Sequence, residues 1–120
     1  NGNVSTWKPT SVLNMNRMFS DATQFNCAIG GWDVSSVQIM SGMFCRAAAF
    51  NQNISEWKVG SVTDMSAMFS LARAYNQPMD RWNTSRVTKM SYMFNRANAF
   101  RQSIAMWDMG NVVSSVHMLT

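Results

Sequence analysis

Tryptophan recurs at a constant spacing of 25 residues through the whole chain, at Trp7, Trp32, Trp57, Trp82 and Trp107. When each Trp is numbered as position 1 of a repeat, Val occupies position 6 throughout, and Met, Phe and Ala recur at positions 9, 12, 13 and 16. A fixed period in the range of about 20–50 residues is typical of stacked units that bury apolar faces on one another. The chain is therefore predicted to be one array, residues 1–120, of about five 25-residue repeats.

The apolar spacing inside one repeat changes along its length. Ile54, Trp57 and Val59 have the L-x-x-L-x-L spacing of a leucine-rich repeat, and Trp57 and Val59 alternate as in a short strand. The residues that follow recur at three and four, as on a helix: Val62, Met65, Met68, Phe69 and Ala72. The spacing predicts an α/β solenoid, a leucine-rich-repeat-like right-handed coil with a parallel ladder of short strands and short helical or 3₁₀ segments. A pure β-helix is the alternative, and the change of period argues against it.

Composition favours a packed domain. The chain is 47% hydrophobic and 13% charged, and its net charge of +4 is scattered, which mildly favours acidic partners. No apolar run approaches the roughly 18 residues that a membrane span requires. Cys27 and Cys45 lie at different repeat positions, so free thiols are favoured over a disulfide bridge.

Amide side chains form a second periodic series. The series comprises Asn1, Asn26, Asn51 and Asn76 at position 20, followed by Gln52, Gln77 and Gln102 at position 21. Stacked amides can bond loop backbone groups and each other, so these residues are predicted to be structural. N-x-S sequons occur at Asn3, Asn53 and Asn83, a number that chance explains, and Asn3 and Asn53 are also expected to be structural.

The sequence carries no catalytic or cofactor motif. The chain has one histidine, His117, and it has no Cys/His cluster with zinc spacing, no glycine-rich phosphate loop and no G-x-S-x-G. The methionines share their register with Val, Phe and Ala, which favours core packing over soft-metal binding. We predict no enzyme activity, no metal site and no cofactor. Nucleic acid is not an expected partner, because the aromatic residues are assigned to the core.

Two surfaces are candidates for binding a partner. We call the first the polar face. It consists of variable residues at positions 25, 2 and 4, beside the predicted buried Trp, and comprises Thr6, Lys8, Asp33, Ser35, Glu56, Lys58, Arg81, Asn83, Ser85 and Asp108. Opposite charges at equivalent positions of neighbouring repeats, such as Glu56 and Arg81, are expected to pair. The second, the arginine stripe, comprises Arg46, Arg73, Arg96 and Arg101. Each surface has a plainer interpretation, as a solvated flank with no partner.

The repeat resembles a known family. The resemblance rests on Phe50-Asn51-Gln52-x-Ile54-Ser55-x-Trp57-x-Val59-x-x-Val62-Thr63-x-Met65-Ser66-x-Met68-Phe69. This motif resembles the repeat of BspA-like leucine-rich-repeat surface proteins, in the form in which Trp, Met and Phe replace most leucines. The resemblance covers the whole chain, with departures at Pro9 and Ser115. It implies an extracellular or cell-surface location and a role in adhesion and recognition.

The expected function is therefore a non-enzymatic recognition or adhesion module that presents one face to a protein or glycan. The alternative is a structural scaffold or spacer subunit of a larger assembly. A repeat array exposes an apolar cross-section at each end unless a polar cap covers it. We therefore expect this segment to belong to a longer protein or assembly, with neighbouring subunits or further repeats packed on the ends.

Overall fold

The computed structural model describes residues 3–119, and these residues contain no α-helix, no 3₁₀-helix and no multi-residue strand. Regular pairing is limited to isolated parallel bridges at position 8 of successive repeats, which link Asn14, Ile39, Asp64, Lys89 and Ser114. The molecule measures 37 × 30 × 21 Å, with a radius of gyration of 12.9 Å. The repeats are therefore irregular chain, packed on one another in sequence order.

The predicted helical segments are wrong. Residues 66–71 and their equivalents form consecutive turns. Two residues in each of the first four such stretches, for example Ala67 and Leu71, lie in the left-handed region, with φ of 55° and 59°. A right-handed helix requires φ near −63°, so one left-handed residue ends it. The apolar spacing of three and four is real, but it comes from a chain that turns repeatedly around the core.

The predicted ladder of strands at the Trp positions is also wrong. Turns at residues 55–56 and 60–61 leave only Trp57, Lys58 and Val59 between them. The Trp57 N–H donates to the Ile54 carbonyl, three residues earlier in the chain, at 3.1 Å, and so closes a local turn instead of pairing with an equivalent segment. The bridges occur seven residues later, at position 8. The leucine-rich-repeat α/β solenoid expected from the sequence is therefore not the fold of this chain.

Backbone hydrogen bonds in the turn-rich stretch alternate between two directions. The Met65 and Phe69 N–H groups donate to the Lys89 and Met93 carbonyls of the next repeat, at 2.9 and 2.8 Å. Between them, the Met68 N–H donates back to the Met65 carbonyl at 3.2 Å. Every second amide thus holds the local turn, while the others hold adjacent repeats together. In this way the buried backbone N–H and C=O groups find hydrogen-bond partners although the chain forms no helix or sheet in the described residues.

The core consists of the repeated apolar positions, and it is continuous from one repeat to the next. Trp32 and Trp57 lie parallel, with ring centroids 6.5 Å apart, and Phe69 stacks on Phe94 at 5.6 Å. The Trp57 indole N–H donates to the Ile29 carbonyl at 3.0 Å, which satisfies the one polar atom of the ring. The predicted burial of the Trp, Val, Met and Phe positions is confirmed for the central repeats.

The predicted structural role of the amide series is confirmed. The Asn51 side-chain oxygen accepts hydrogen bonds from the Asn76 N–H at 2.9 Å and from Gln77 Nε2 at 3.0 Å. Gln77 Nε2 also donates to the Asn51 carbonyl at 3.0 Å. The same arrangement links Asn26 with Gln52 and Asn76 with Gln102. Asn1, the first member of the series, lies outside the described residues.

The left-handed residue at position 11 supplies a stability prediction. We expect Ala67→Gly to raise the free energy of unfolding by about 0.5–1 kcal/mol. The substitution relieves the steric strain of a Cβ at positive φ, and this gain exceeds the additional backbone entropy that glycine loses on folding. Gly42, at the same position with φ 62°, is the matched control, and Gly42→Ala should have the opposite effect. Its new Cβ would meet only the flexible Arg17 side chain, at 3.0 Å. Urea denaturation measures both variants, and a less stable Ala67→Gly would contradict the assigned backbone conformation.

Candidate recognition surface

The polar face is exposed, and part of it forms a cleft. All ten of its residues are exposed except Ser85, which is half-buried. Glu56, Lys58, Arg81 and Asn83 line one cleft of about 340 Å³ beside the buried Trp57. The structure thus brings together four predicted residues that flank two successive tryptophans, Trp57 and Trp82.

One charge pair on the polar face forms as predicted. Arg81 Nη1 lies 2.9 Å from Glu56 Oε1, and both side chains are exposed, so the pair contributes only about 0.2–1 kcal/mol. Lys8, Asp33 and Lys58 alternate in sign at position 2, but none of them forms an ion pair within residues 3–119. The Lys58 ammonium therefore lies in the cleft without a carboxylate partner.

Backbone hydrogen bonds fix several side chains of the polar face. Asp33 Oδ1 accepts from the Ser35 hydroxyl at 2.6 Å and from the Ser35 N–H at 3.0 Å. These bonds from Ser35 hold the pKa of Asp33 below its ordinary value, which keeps the carboxylate ionised. Asn83 and Asp108 accept in the same way from backbone N–H groups two residues later, at 3.1 and 2.8 Å. These side chains are therefore oriented before any partner binds.

The sequon asparagines make the same local turn. Asn3 Oδ1 and Asn53 Oδ1 accept from the N–H groups two residues later, at 3.0 and 2.9 Å. Cys27 Sγ also donates to Asn3 Oδ1, at 3.1 Å. The structural roles expected for Asn3 and Asn53 are confirmed. Cys27 and Cys45 are both free and half-buried.

The arginine stripe does not form one continuous site. Arg46 lies 3.8 Å from Asp21 of the preceding repeat. Arg101 Nη1 donates to the Asn98 carbonyl at 2.8 Å, so part of its guanidinium is occupied. Arg96 and Arg101 line a shallow cleft of about 390 Å³, in which Arg46 and Arg73 have no part.

A further cleft lies at repeat positions that were not predicted to form a site. It has a volume of about 390 Å³, and its lining includes Asn16, Arg17, Asp21, Ser41 and Arg46. These residues occupy positions 10, 11 and 15, which the sequence analysis assigned to helix. The sequence did contain one sign of this cleft: position 15 is acidic in one repeat (Asp21) and basic in the next (Arg46).

Apolar side chains are exposed on the two outermost repeats. We define the leading face as Trp7, Val12 and Met18, and the trailing face as Met109, Val116 and Leu119. Trp7 is 53% exposed and Leu119 is 63% exposed, whereas Trp57 and Phe69, at the same repeat positions, are 3% and 0% exposed.

No metal-binding or membrane-spanning feature occurs in the described part of the chain. Within residues 3–119, no group of three His, Cys, Asp or Glu side chains could hold a metal ion. Those residues likewise contain no helix long and apolar enough to cross a bilayer.

The chain matches the model of a protein family. Residues 1–61 and residues 27–120 each match the model of a family described as "Mycoplasma protein of unknown function, DUF285". No curated protein and no solved structure matches the chain. The resemblance to BspA-like proteins is not confirmed, although a repeat-containing surface-protein family is compatible with the match.

Proposed function

We propose that this chain, which belongs to the DUF285 family, is a non-enzymatic recognition module that binds a protein or glycan at its polar face. The observation that supports this function is the cleft of about 340 Å³, lined by Glu56, Lys58, Arg81 and Asn83. Its volume lies at the lower end of the range of about 300–1,000 Å³ typical of small-ligand sites. It could hold one sugar ring or one side chain of a partner protein.

The chemistry of the cleft suits a polar or acidic ligand. Lys58 supplies an ammonium group that no carboxylate of the described chain neutralises, and Arg81 supplies a guanidinium held by Glu56 at 2.9 Å. The cleft is also lined by Trp57 and Val59, whose side chains belong to the buried core. An extracellular or cell-surface location is part of the proposal and rests on the motif resemblance.

The proposal predicts that Lys58→Glu combined with Arg81→Glu weakens ligand binding by about tenfold or more, because both cations of the cleft are reversed. Binding of the labelled chain to an array of neutral, sialylated and sulfated glycans and of neutral and acidic peptides measures this. Arg73→Glu combined with Arg96→Glu is the matched control, since it changes the net charge of +4 by the same amount.

The control separates site-specific binding from general electrostatic attraction. Unchanged binding by the cleft variant, together with loss in the control variant, would move the site to the arginine stripe. If the unaltered chain bound none of the probes, recognition of these ligand classes would be ruled out. The melting temperatures of both variants should stay close to that of the unaltered chain, because all four side chains are exposed.

A structural scaffold is the second candidate function. At the ends of the described array, Trp7, Met18 and Leu119 are exposed, whereas their equivalents in the central repeats are buried. A scaffold would bind through those ends, and changes in the cleft would leave its contacts intact.

A further inference from the structure

The cleft of the polar face is rich in unused hydrogen-bond donors. Lys58 carries three N–H donors, and Arg81 carries five, of which one, on Nη1, is bonded to Glu56. Asn83 adds two more, because its Oδ1 accepts the Ser85 N–H at 3.1 Å and its Nδ2 has no acceptor within residues 3–119. Three separate side chains therefore offer donors to one ligand.

The same cleft also offers acceptors. Glu56 Oε1 accepts from Arg81, whereas Glu56 Oε2 has no donor in the described part of the chain. Ser55 lines the cleft as well, and its hydroxyl forms no hydrogen bond with another described residue. A carboxylate oxygen only accepts, and a hydroxyl both accepts and donates. The ligand that matches this cleft therefore brings donors of its own as well as negative charge.

The charged residues that line the cleft carry one net positive charge. Lys58 and Arg81 are cationic, Glu56 is anionic, and the other lining residues are uncharged. Asp33, at position 2 of the preceding repeat, does not line the cleft, and its Oδ1 accepts from the Ser35 hydroxyl at 2.6 Å. One net positive charge matches one carboxylate. A ligand with two or more negative charges would bring the excess charge against Glu56, which is unfavourable.

Gly60 leaves space beside one of the unused donors. It occupies position 4, where other repeats carry Thr10, Ser35 and Ser85. A Cβ added to Gly60 would lie 3.4 Å from Asn83 Nδ2. A larger side chain at position 60 would therefore cover the Asn83 amide, and glycine keeps this amide open to a ligand.

We propose that the group bound in this cleft is an acid sugar, a single pyranose ring that carries one carboxylate. This inference rests on the recognition role proposed above and specifies its ligand. Lys58, Arg81 and Asn83 donate to the carboxylate. Glu56 and Ser55 accept from the ring hydroxyls. An acidic side chain of a partner protein brings the same charge but no hydroxyl for Glu56, so the acid sugar matches the cleft better.

NMR titration of the isotope-labelled chain with small probes tests this assignment. The probes are methyl glucuronide, with one carboxylate; methyl glucoside, which is neutral; a phosphorylated methyl glucoside, which is dianionic; and an aspartate residue blocked at both termini. We expect the glucuronide to bind about tenfold or more tightly than each of the other probes. Its addition should shift the amide signals of residues 55–60, 81 and 83.

Gly60→Thr should weaken glucuronide binding by about tenfold, because the new side chain covers the Asn83 amide. Gly31→Thr is the matched control, since Gly31 does not line the cleft and a Cβ there would meet no atom within 4 Å. Its affinity for the glucuronide should change by less than about twofold. Thr10 and Thr6 occupy the equivalent positions of the first repeat, so the repeat accommodates both substitutions. Thermal melts of both variants check that they remain folded.

Several results would overturn the acid-sugar assignment. They are tightest binding of the blocked aspartate or of the phosphorylated probe, glucuronide shifts outside the cleft, and a glucuronide affinity that a folded Gly60→Thr variant retains. A chain that binds a ligand of the glycan and peptide array at the cleft, but not the glucuronide, would also overturn it while the recognition role stands. If neither the array nor these probes bound the unaltered chain, the recognition role and the acid-sugar assignment would both fail.

Discussion

Trp57→Ala is expected to lower the free energy of unfolding by about 3–5 kcal/mol, which is the usual cost of removing a large buried aromatic side chain. Trp57 is 3% exposed and stacks between Trp32 and Trp82, with ring centroids 6.5 Å away on both sides. Its removal opens a cavity that two adjacent repeats share, and it leaves the Ile29 carbonyl without its indole donor. Urea denaturation, monitored by near-UV circular dichroism, measures the loss.

Trp7→Ala is the matched control, because it makes the same change at the same repeat position. Trp7 is 53% exposed and contacts only one neighbouring Trp, so the expected loss is at most about 2 kcal/mol. Equal losses in the two variants would contradict a core shared between adjacent repeats.

Tyr75→Phe is expected to raise the free energy of unfolding by about 1–3 kcal/mol, because the buried hydroxyl has no hydrogen-bond partner within the described residues. Its ring lies in the aromatic core, 4.1 Å from Phe69. The equivalent residues of the neighbouring repeats are Phe50 and Phe100, so the site accepts a phenyl ring. Tyr92→Phe, at an exposed tyrosine, should change stability by less than about 0.5 kcal/mol.

Alkaline pH gives an independent measure of the same hydroxyl. Burial raises the pKa of Tyr75 far above its ordinary value of about 10. The folded state therefore keeps its proton at pH values where the unfolded chain loses it. The stability from this difference is fully present below the unfolded pKa and is lost progressively as pH rises above about 10. Tyr75→Phe should remove that part of the alkaline destabilisation, and an unchanged pH profile would show that the hydroxyl is solvated.

The repeated core could be predicted from the sequence, but the backbone that carries it could not. Trp, Val, Met and Phe recur because they are buried, and burial depends on side-chain chemistry that the sequence displays. The turns depend on left-handed residues at positions 11 and 15, where the chain has Arg17, Ala67, Tyr92 and Leu71. None of these residue types signals positive φ. Gly42, Asp21 and His117 are of types that favour positive φ, but they are a minority at these two positions, so a helix was the natural interpretation of the spacing.

The candidate site likewise has some features that the sequence predicts and others that it does not. The pairing of Glu56 with Arg81 follows from their equivalent positions, which the period alone makes visible. The occupied guanidinium of Arg101 and the cleft beside Asp21 depend on how the turns direct side chains. Even when the predicted backbone conformation is wrong, the sequence shows which residues a surface contains. The shape of the clefts on that surface is known only from the structure.

The alternating direction of the backbone hydrogen bonds has an evolutionary consequence. Each repeat donates N–H groups mainly to the next repeat and, at positions 7 and 8, to the preceding one, at intervals of 24 to 26 residues. When one whole repeat is removed or duplicated, the repeats that become neighbours still have matching packing surfaces. No substitution is then needed to restore the hydrogen bonds between them. Copy number can thus drift by unequal recombination while the core stays intact, so related genes can encode arrays of different length at little cost in foldability.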